Sequence, residues 1–165
     1  MLDGIDLDRF TNLTELSDGS KGTKIYLAND TLLGNEVVLK AVKKGSSKKN
    51  FDGLKEAEIM SKILGHRNVV ALYSGFETEE CCIIEMEYVK GADLLEKLYL
   101  NGGGFPEELA RKIVVQVAKA LSFAHSRGIA HRDLKLENIF VGDDWQVKLG
   151  DWGLAMTFDP SSLMK

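Results

Sequence analysis

The sequence predicts an α+β fold, because its strand-like runs crowd into the first part of the chain and its longest helical pattern lies in the second. Strands first and helices later, without strict alternation, is the order of α+β architectures. β-rich runs at 13–16, 25–28 and 37–42 are punctuated by Gly19, Gly22 and Gly34. A helical stretch is expected at 51–64, followed by strands at 69–76 and 82–88. A short helix at 94–98 is closed by the three glycines Gly102, Gly103 and Gly104. The long helix opens at Phe105-Pro106-Glu107-Glu108, with proline in its first turn, and runs to about Ser126, ahead of Gly128. Short strands at 139–141 and 147–149 flank the turn Gly142-Asp143-Asp144.

Composition narrows the class. One domain fits 165 residues, and 44% hydrophobic with 28% charged residues can build a core. A net charge of −4 argues against nucleic acid or an anionic membrane as partner. The basic run Lys43-Lys44-Gly45-Ser46-Ser47-Lys48-Lys49 reads as a solvated loop. No secretory signal or membrane-length apolar stretch is seen, and Cys81 and Cys82, adjacent in a strand, form no disulfide or metal pattern. A cytoplasmic, reducing setting is therefore expected.

The chemistry concentrates in His131-Arg132-Asp133-Leu134-Lys135-Leu136-Glu137-Asn138, with Asp151-Trp152-Gly153 downstream. Phosphoryl transfer needs a carboxylate to orient a hydroxyl nucleophile and hard oxygen ligands for Mg²⁺. The two strings resemble the catalytic loop and the Asp-Phe-Gly motif of eukaryotic-type protein kinases, with Trp152 in place of phenylalanine. The resemblance implies that Asp133 accepts the substrate hydroxyl proton and that Asn138 and Asp151 hold Mg²⁺. Lys135 stands where serine/threonine-directed kinases carry a lysine that meets the γ-phosphate.

Glu36-Val37-Val38-Leu39-Lys40 resembles the strand whose lysine reaches the ATP phosphates, and alternation puts Val38 and Lys40 on one face. Leu16 to Gly22 occupies the place of the glycine-rich loop, with Gly19 and Gly22 as its glycines; Ser17 stands for a third and Lys21 for the usual aromatic tip. No Gly-x-x-x-x-Gly-Lys-Ser/Thr string occurs, which excludes a P-loop. Ile84 to Leu94 resembles the strand and hinge between kinase lobes. That assigns Met86 as gatekeeper, the backbone of Glu87 and Val89 to adenine and Asp93 to ribose, while Ile25 and Phe140 join the nucleotide-binding set.

Two glutamates compete to pair with Lys40. Helical spacing puts Glu56 on a face with Met60, Ile63 and Leu64, whereas Glu58 falls with Lys62, where an exposed ion pair is the simpler reading. Glu56 is favoured. Arg132, ahead of the catalytic aspartate, implies control by activation-loop phosphorylation, with Thr157, Ser161 and Ser162 as hydroxyls downstream.

The resemblance runs from about residue 13 to 154. It implies a small lobe at about 1–88, with a five-stranded antiparallel sheet and one helix. The hinge, long helix, catalytic loop and start of the activation segment occupy 89–165, the first part of a mainly helical large lobe. The Ala-Pro-Glu motif and later helices do not occur, so the kinase domain reads as incomplete at its C-terminus. The long helix agrees: Lys112, Gln116 and Lys119 form a narrow polar stripe. Leu109, Ala110, Ile113, Val114, Val117, Ala118, Leu121 and Ala124 make a wide apolar face that the following residues are expected to be too few to cover. The expected function is a protein serine/threonine kinase using Mg²⁺ and ATP on a protein substrate, with a regulatory partner or a further C-terminal segment. The alternative is a non-catalytic, nucleotide-binding regulatory module.

Overall fold

The computed structural model describes residues 5, 6, 8–18, 22–44, 54–159 and 161. Gly19, Lys21, the 45–49 part of the basic run, the 51–53 start of the expected helix and Ser162 lie outside the described residues. The chain divides into two compact units, 1–58 with 72–88, and 59–71 with 89–165. The segment 59–71, expected within the first part, thus groups with the second.

In the first unit, β1 (Phe10–Asp18), β2 (Thr23–Asp30), β3 (Asn35–Lys43), β4 (Leu72–Glu77) and β5 (Cys81–Glu87) form an antiparallel sheet ordered β1-β2-β3-β5-β4. β4 starts later than expected. Val69 instead bridges Leu149 of the second unit, where Val70 N donates to Leu149 O at 3.0 Å and Leu149 N donates to Asn68 O at 2.9 Å.

The sheet's register divides its faces. Val37, Leu39 and Ala41 of β3 are buried in a core with Ile5, Phe10, Tyr26, Ala28, Cys81 and Ile83. The two cysteines split as a strand requires: Cys81 joins this core and Cys82 points away, yet both are buried thiols outside any disulfide, and burial pushes the Cys82 thiol up to about 11. The opposite face carries Val38 and Lys40.

Glu85 lies across from Leu39, on the core face, and is fully buried. It survives there because Arg9 donates to both its carboxylate oxygens at 2.8 Å and Ser74 Oγ donates at 2.6 Å. Arg9 also holds Asp30 at 2.6 Å, and Asp30 accepts the backbone N–H groups of Leu32 and Leu33 at 2.7 and 3.2 Å. The Arg9 guanidinium holds the Asp30 carboxyl far below the usual carboxylate range, whereas burial pushes Glu85 above it. These shifts act oppositely on stability. The Asp30 contribution is present above the unfolded value of about 3.9 and is lost only as pH falls through the much lower folded value. Ionised Glu85 carries a cost that disappears on acidification. Asp30→Ala is therefore expected to cost about 3–5 kcal/mol, the range for removing one partner of a buried ion pair. Glu85→Gln should cost less, because the amide keeps an acceptor for Ser74 without a buried charge. Denaturant melts of the two variants check the order, and a larger loss for Glu85→Gln would contradict it.

α1 (Lys55–Lys62) is shorter than expected. Glu56, Met60 and Ile63 are buried, but Leu64, expected on the same face, lies past the helix end and is 48% exposed. Gly75 on β4 lets the helix approach: a Cβ there would come within 3.0 Å of Ala57 Cβ.

In the second unit, β6 (Ala92–Asp93) leads into α2 (Leu94–Leu100), whose first turn is capped by Asp93 accepting from Glu96 N at 2.9 Å. α3 (Glu107–Ser126) has Pro106 as its N-cap residue and packs on β7 (Ile129–Ala130) and β9 (Val147–Leu149). Ile113, Val117, Ala120 and Ala124 form its buried line, while Val114 is 64% exposed and Ala118 is exposed, so part of the expected wide apolar face is uncovered. β8 (Ile139–Val141) lies between β6 and β9, and β10 (Met156–Thr157) pairs with β7. The expected strands at 139–141 and 147–149 are present; β6, β7 and β10 are two-residue pairings with no periodic signal. Among the described residues, no helix is long and apolar enough to cross a membrane.

Candidate functional site

The first unit's contribution begins with register. Lys40 pairs with Ile25 on one side and Ile84 on the other, and Val38 pairs with Leu27 and Met86. Ile25, Val38, Lys40 and Met86 therefore share one face of the sheet, the face opposite the core. Leu27 belongs with them. Sequence reading missed it, although a period of two from Ile25 finds it. Gly22, at the start of β2, has φ 86° and its N-terminal neighbours 19–21 lie outside the described residues.

Lys40 Nζ donates to Glu56 Oε2 at 2.7 Å, with the two side chains 15% and 8% exposed. Glu58 is exposed on the other side of α1. Tertiary packing thus brings Glu56, rather than Glu58, to the strand lysine. The second carboxylate oxygen of Glu56 is buried without a hydrogen-bond partner among the described residues. Lys40 is the compensation that makes such a buried carboxylate tolerable.

The second unit gathers Asp133, Lys135, Asn138 and Asp151. After β7 the chain turns at Arg132, whose φ of 65° places it in the left-handed region. Such a backbone costs about 1–3 kcal/mol in a non-glycine residue and persists where surroundings over-determine it. Those surroundings are visible: Arg132 Nε donates to Leu154 O at 2.8 Å, and the flanking His131 is buried. Asp133 N–H donates to His131 Nδ1 at 3.3 Å, so the other ring nitrogen carries the proton and donates to Gly150 O at 2.9 Å. The imidazole thereby bolts the Asp133 loop to the residue before Asp151. A side chain at position 150 would not fit, since a Cβ there would sit 2.7 Å from Phe140 Cε2. Sequence reading quoted His131 only as part of a string; its bridging role depends on a partner with no local signal.

Asn138 completes the bracket. Its Nδ2 donates to Asp133 O at 2.8 Å and Oδ2 at 3.0 Å, while Gly150 N donates to Asn138 O at 2.9 Å. With the amide nitrogen committed to Asp133, the side-chain oxygen is the end turned to other chemistry. Lys135 Nζ lies 3.0 Å from Asp133 Oδ2. Lys135 and then Asn138 hold the Asp133 carboxyl below its usual value, and Asp133 in turn raises Lys135. Asp133 is thus an anion near neutrality, fixed by two neighbours and partly open.

Asp151, with φ 53°, is likewise a left-handed non-glycine residue. Trp152 is fully buried, its ring centroid 4.4 Å from that of His131, and its Nε1 donates to Leu149 O at 3.4 Å. The indole therefore fills the interior with its polar edge satisfied. The remaining expected positions are spread through their own units. Glu87 ends β5, Val89 follows it, Asp93 caps α2, and Phe140 pairs with Asp93 across β6 and β8. The Asp93 carboxylate is committed in part to that cap. Of the downstream hydroxyls, Thr157 is exposed on β10 and Ser161 donates to Asp159 Oδ1 at 2.7 Å.

Asn138 and Asp151 offer an amide and a carboxylate oxygen, the hard donors Mg²⁺ prefers. Among the described residues, no group of three or more His, Cys, Asp and Glu side chains could hold a metal on its own. Two protein ligands are nonetheless the usual number for Mg²⁺ that also takes phosphate oxygens and water, so the residues present fit such an ion.

The family model described as a protein kinase domain matches residues 10–165. CBL-interacting serine/threonine-protein kinase 16 of Arabidopsis thaliana is 33% identical over 155 residues, covering 92% of this chain and 33% of the relative. CBL-interacting serine/threonine-protein kinase 19 of the same plant is 36% identical over 141 residues, 82% of this chain and 28% of the relative. Calcium/calmodulin-dependent serine/threonine-protein kinase 1 of Oryza sativa subsp. japonica is 35% identical over 130 residues, 75% and 22%. The chain spans about a third or less of the length of these relatives. With the family model covering nearly all of it, the chain belongs to the protein kinase family.

Proposed function

We propose that the complete protein transfers the γ-phosphoryl group of ATP to a serine or threonine hydroxyl of a protein substrate. The observation that carries this reading is the fixed, ionised Asp133, held by Asn138 and Lys135. A carboxylate so held orients the acceptor hydroxyl and takes its proton as the new O–P bond forms. The bond from the γ-phosphorus to the bridging oxygen breaks, and ADP leaves with that electron pair. Lys135 supplies positive charge beside Asp133, where the transferring group gathers negative charge.

In the first unit, Lys40, held by Glu56, is the cation proposed to meet the nucleotide phosphates. Val38, Ile25 and Met86 provide the apolar face proposed for adenine, and the backbone of Glu87 is proposed for it too; of the second unit's residues, the backbone of Val89 is proposed for adenine and Asp93 for the ribose. Asn138 and Asp151 would hold Mg²⁺, and the chemistry that ion supplies when bound is neutralisation of phosphate charge. The names of the relatives, all serine/threonine kinases, support the choice of acceptor.

The test uses the full-length protein, radiolabelled ATP and a mixture of acceptor proteins, followed by phosphoamino-acid analysis. Label is expected in phosphoserine or phosphothreonine. Label confined to phosphotyrosine would refute the acceptor class, and no label with any acceptor, despite nucleotide binding, would favour a regulatory module.

A further inference from the structure

A surface groove of about 440 Å³ in the second unit lies along α3, away from Asp133 and Asp151 in the sequence and lined by neither. Arg67, Arg111, Lys112 and Lys119 line it, against the single carboxylate of Glu108. In a chain of net charge −4, four cations against one anion is a local reversal of sign. Among the described residues, Arg111, Lys112 and Lys119 pair with no carboxylate, and all three are exposed. The positive field reaches His66, whose imidazole is pushed below its ordinary value first by burial and then by Arg127, Arg67 and Lys119.

The groove wall is built rather than accidental. Asn68, 2% exposed, donates to Val147 O at 2.7 Å and to Gln116 Oε1 at 3.0 Å. Gln116 donates to Trp145 O at 2.9 Å, and Arg67 is fixed by a 2.8 Å bond to Gln146 Oε1. Because these bonds anchor Arg67 and the Gln116 turn of α3, part of the entropy cost of ordering cations around a ligand is met in advance. Val115, 46% exposed, provides an apolar contact among the charges.

We propose that this groove docks an extended acidic peptide segment of a protein partner. From Glu108 to Lys119 the helix rises about 16 Å at about 1.5 Å per residue, the length of about five extended residues at about 3.3 Å each. Acidic side chains would meet Arg67, Arg111, Lys112 and Lys119, and an apolar residue between them would cover Val115. The chain's negative balance disfavours nucleic acid, whereas a short carboxylate-bearing segment is complementary to this patch. The proposal is independent of phosphoryl transfer and is tested by binding.

The probe is a fluorescein-labelled peptide with Glu residues around one Leu, titrated with the full-length protein by anisotropy. A Gln-for-Glu version serves as its control. The acidic peptide is expected to bind at least about tenfold tighter than the Gln version, with affinity falling as salt rises. Arg111→Glu with Lys119→Glu should weaken it at least about tenfold, and Arg111→Gln with Lys119→Gln by less, on the same charge logic. Lys97→Glu, outside the groove, should change little. Melting curves verify that the variants are folded, and the neutral pair serves if the reversed pair is not. Equal binding of the two peptides, an equal loss from Lys97→Glu, or no binding would overturn the proposal. Competition by inorganic phosphate at the peptide's own concentration would replace it with a simple anion site. Charge-dependent self-association in sedimentation would replace the partner with a second copy.

Discussion

Asp133→Asn in the complete protein is expected to lower phosphoryl transfer by about 10²–10⁴-fold, the usual contribution of a positioned general base. Nucleotide affinity should stay nearly unchanged. The substitution is close to isosteric, and the bond from Asn138 Nδ2 to the backbone oxygen of residue 133 does not involve the lost carboxylate. Asp151→Asn should behave differently and weaken nucleotide binding in the presence of Mg²⁺, because it removes a proposed metal ligand. A single-turnover transfer assay beside a nucleotide titration separates the two. The pH dependence follows from the lowered Asp133 carboxyl. Its base form is complete above the ordinary carboxylate value of about 3.9 and fades only as pH falls through the lower folded value. Lys135→Ala should move that acid limb upward, since Lys135 is the first cause of the depression. Near-normal turnover in Asp133→Asn would remove Asp133 from the catalytic role.

The second large effect is expected at the Lys40–Glu56 pair. Glu56→Gln should reduce turnover by about 10²-fold, the loss that follows displacing a catalytic group by about 1 Å. Lys40 then loses the carboxylate that holds it at 2.7 Å. Glu58→Gln should leave turnover nearly intact and change stability by no more than about 1 kcal/mol, as for exposed charges. Kinetics of both variants in the complete protein are the check. A greater loss in Glu58→Gln would show that the working form uses the other face of α1.

Much of this was legible without coordinates because the informative features are local. The string His131 to Asn138 and the triplet at Asp151 carry their residue types in order, and local strings are what sequence displays directly. Alternation in β3 likewise placed Val38 and Lys40 together, since a strand's two faces are fixed by its pleat. The choice of Glu56 over Glu58 was favoured by helical spacing, but only packing of α1 on the sheet, through Ala57 against Gly75, brings one of them to Lys40.

What the tertiary structure alone decided is non-local. Glu85 in an apolar strand has its partner at Arg9, which also holds Asp30, and only the closed sheet brings these distant residues within hydrogen-bond distance. Val69 and Val70 look like strand residues, yet the backbone of Leu149 takes them away from β4. His131 becomes the bolt between two loops because Gly150 arrives beside it. On α3, spacing marked a wide apolar face, and contact with β7 and β9 chose which part of it is buried. By itself, the sequence determined the family, the candidate site residues and most of the local elements. The fold decided which of those groups are held, because each restraint joins residues that no local pattern relates.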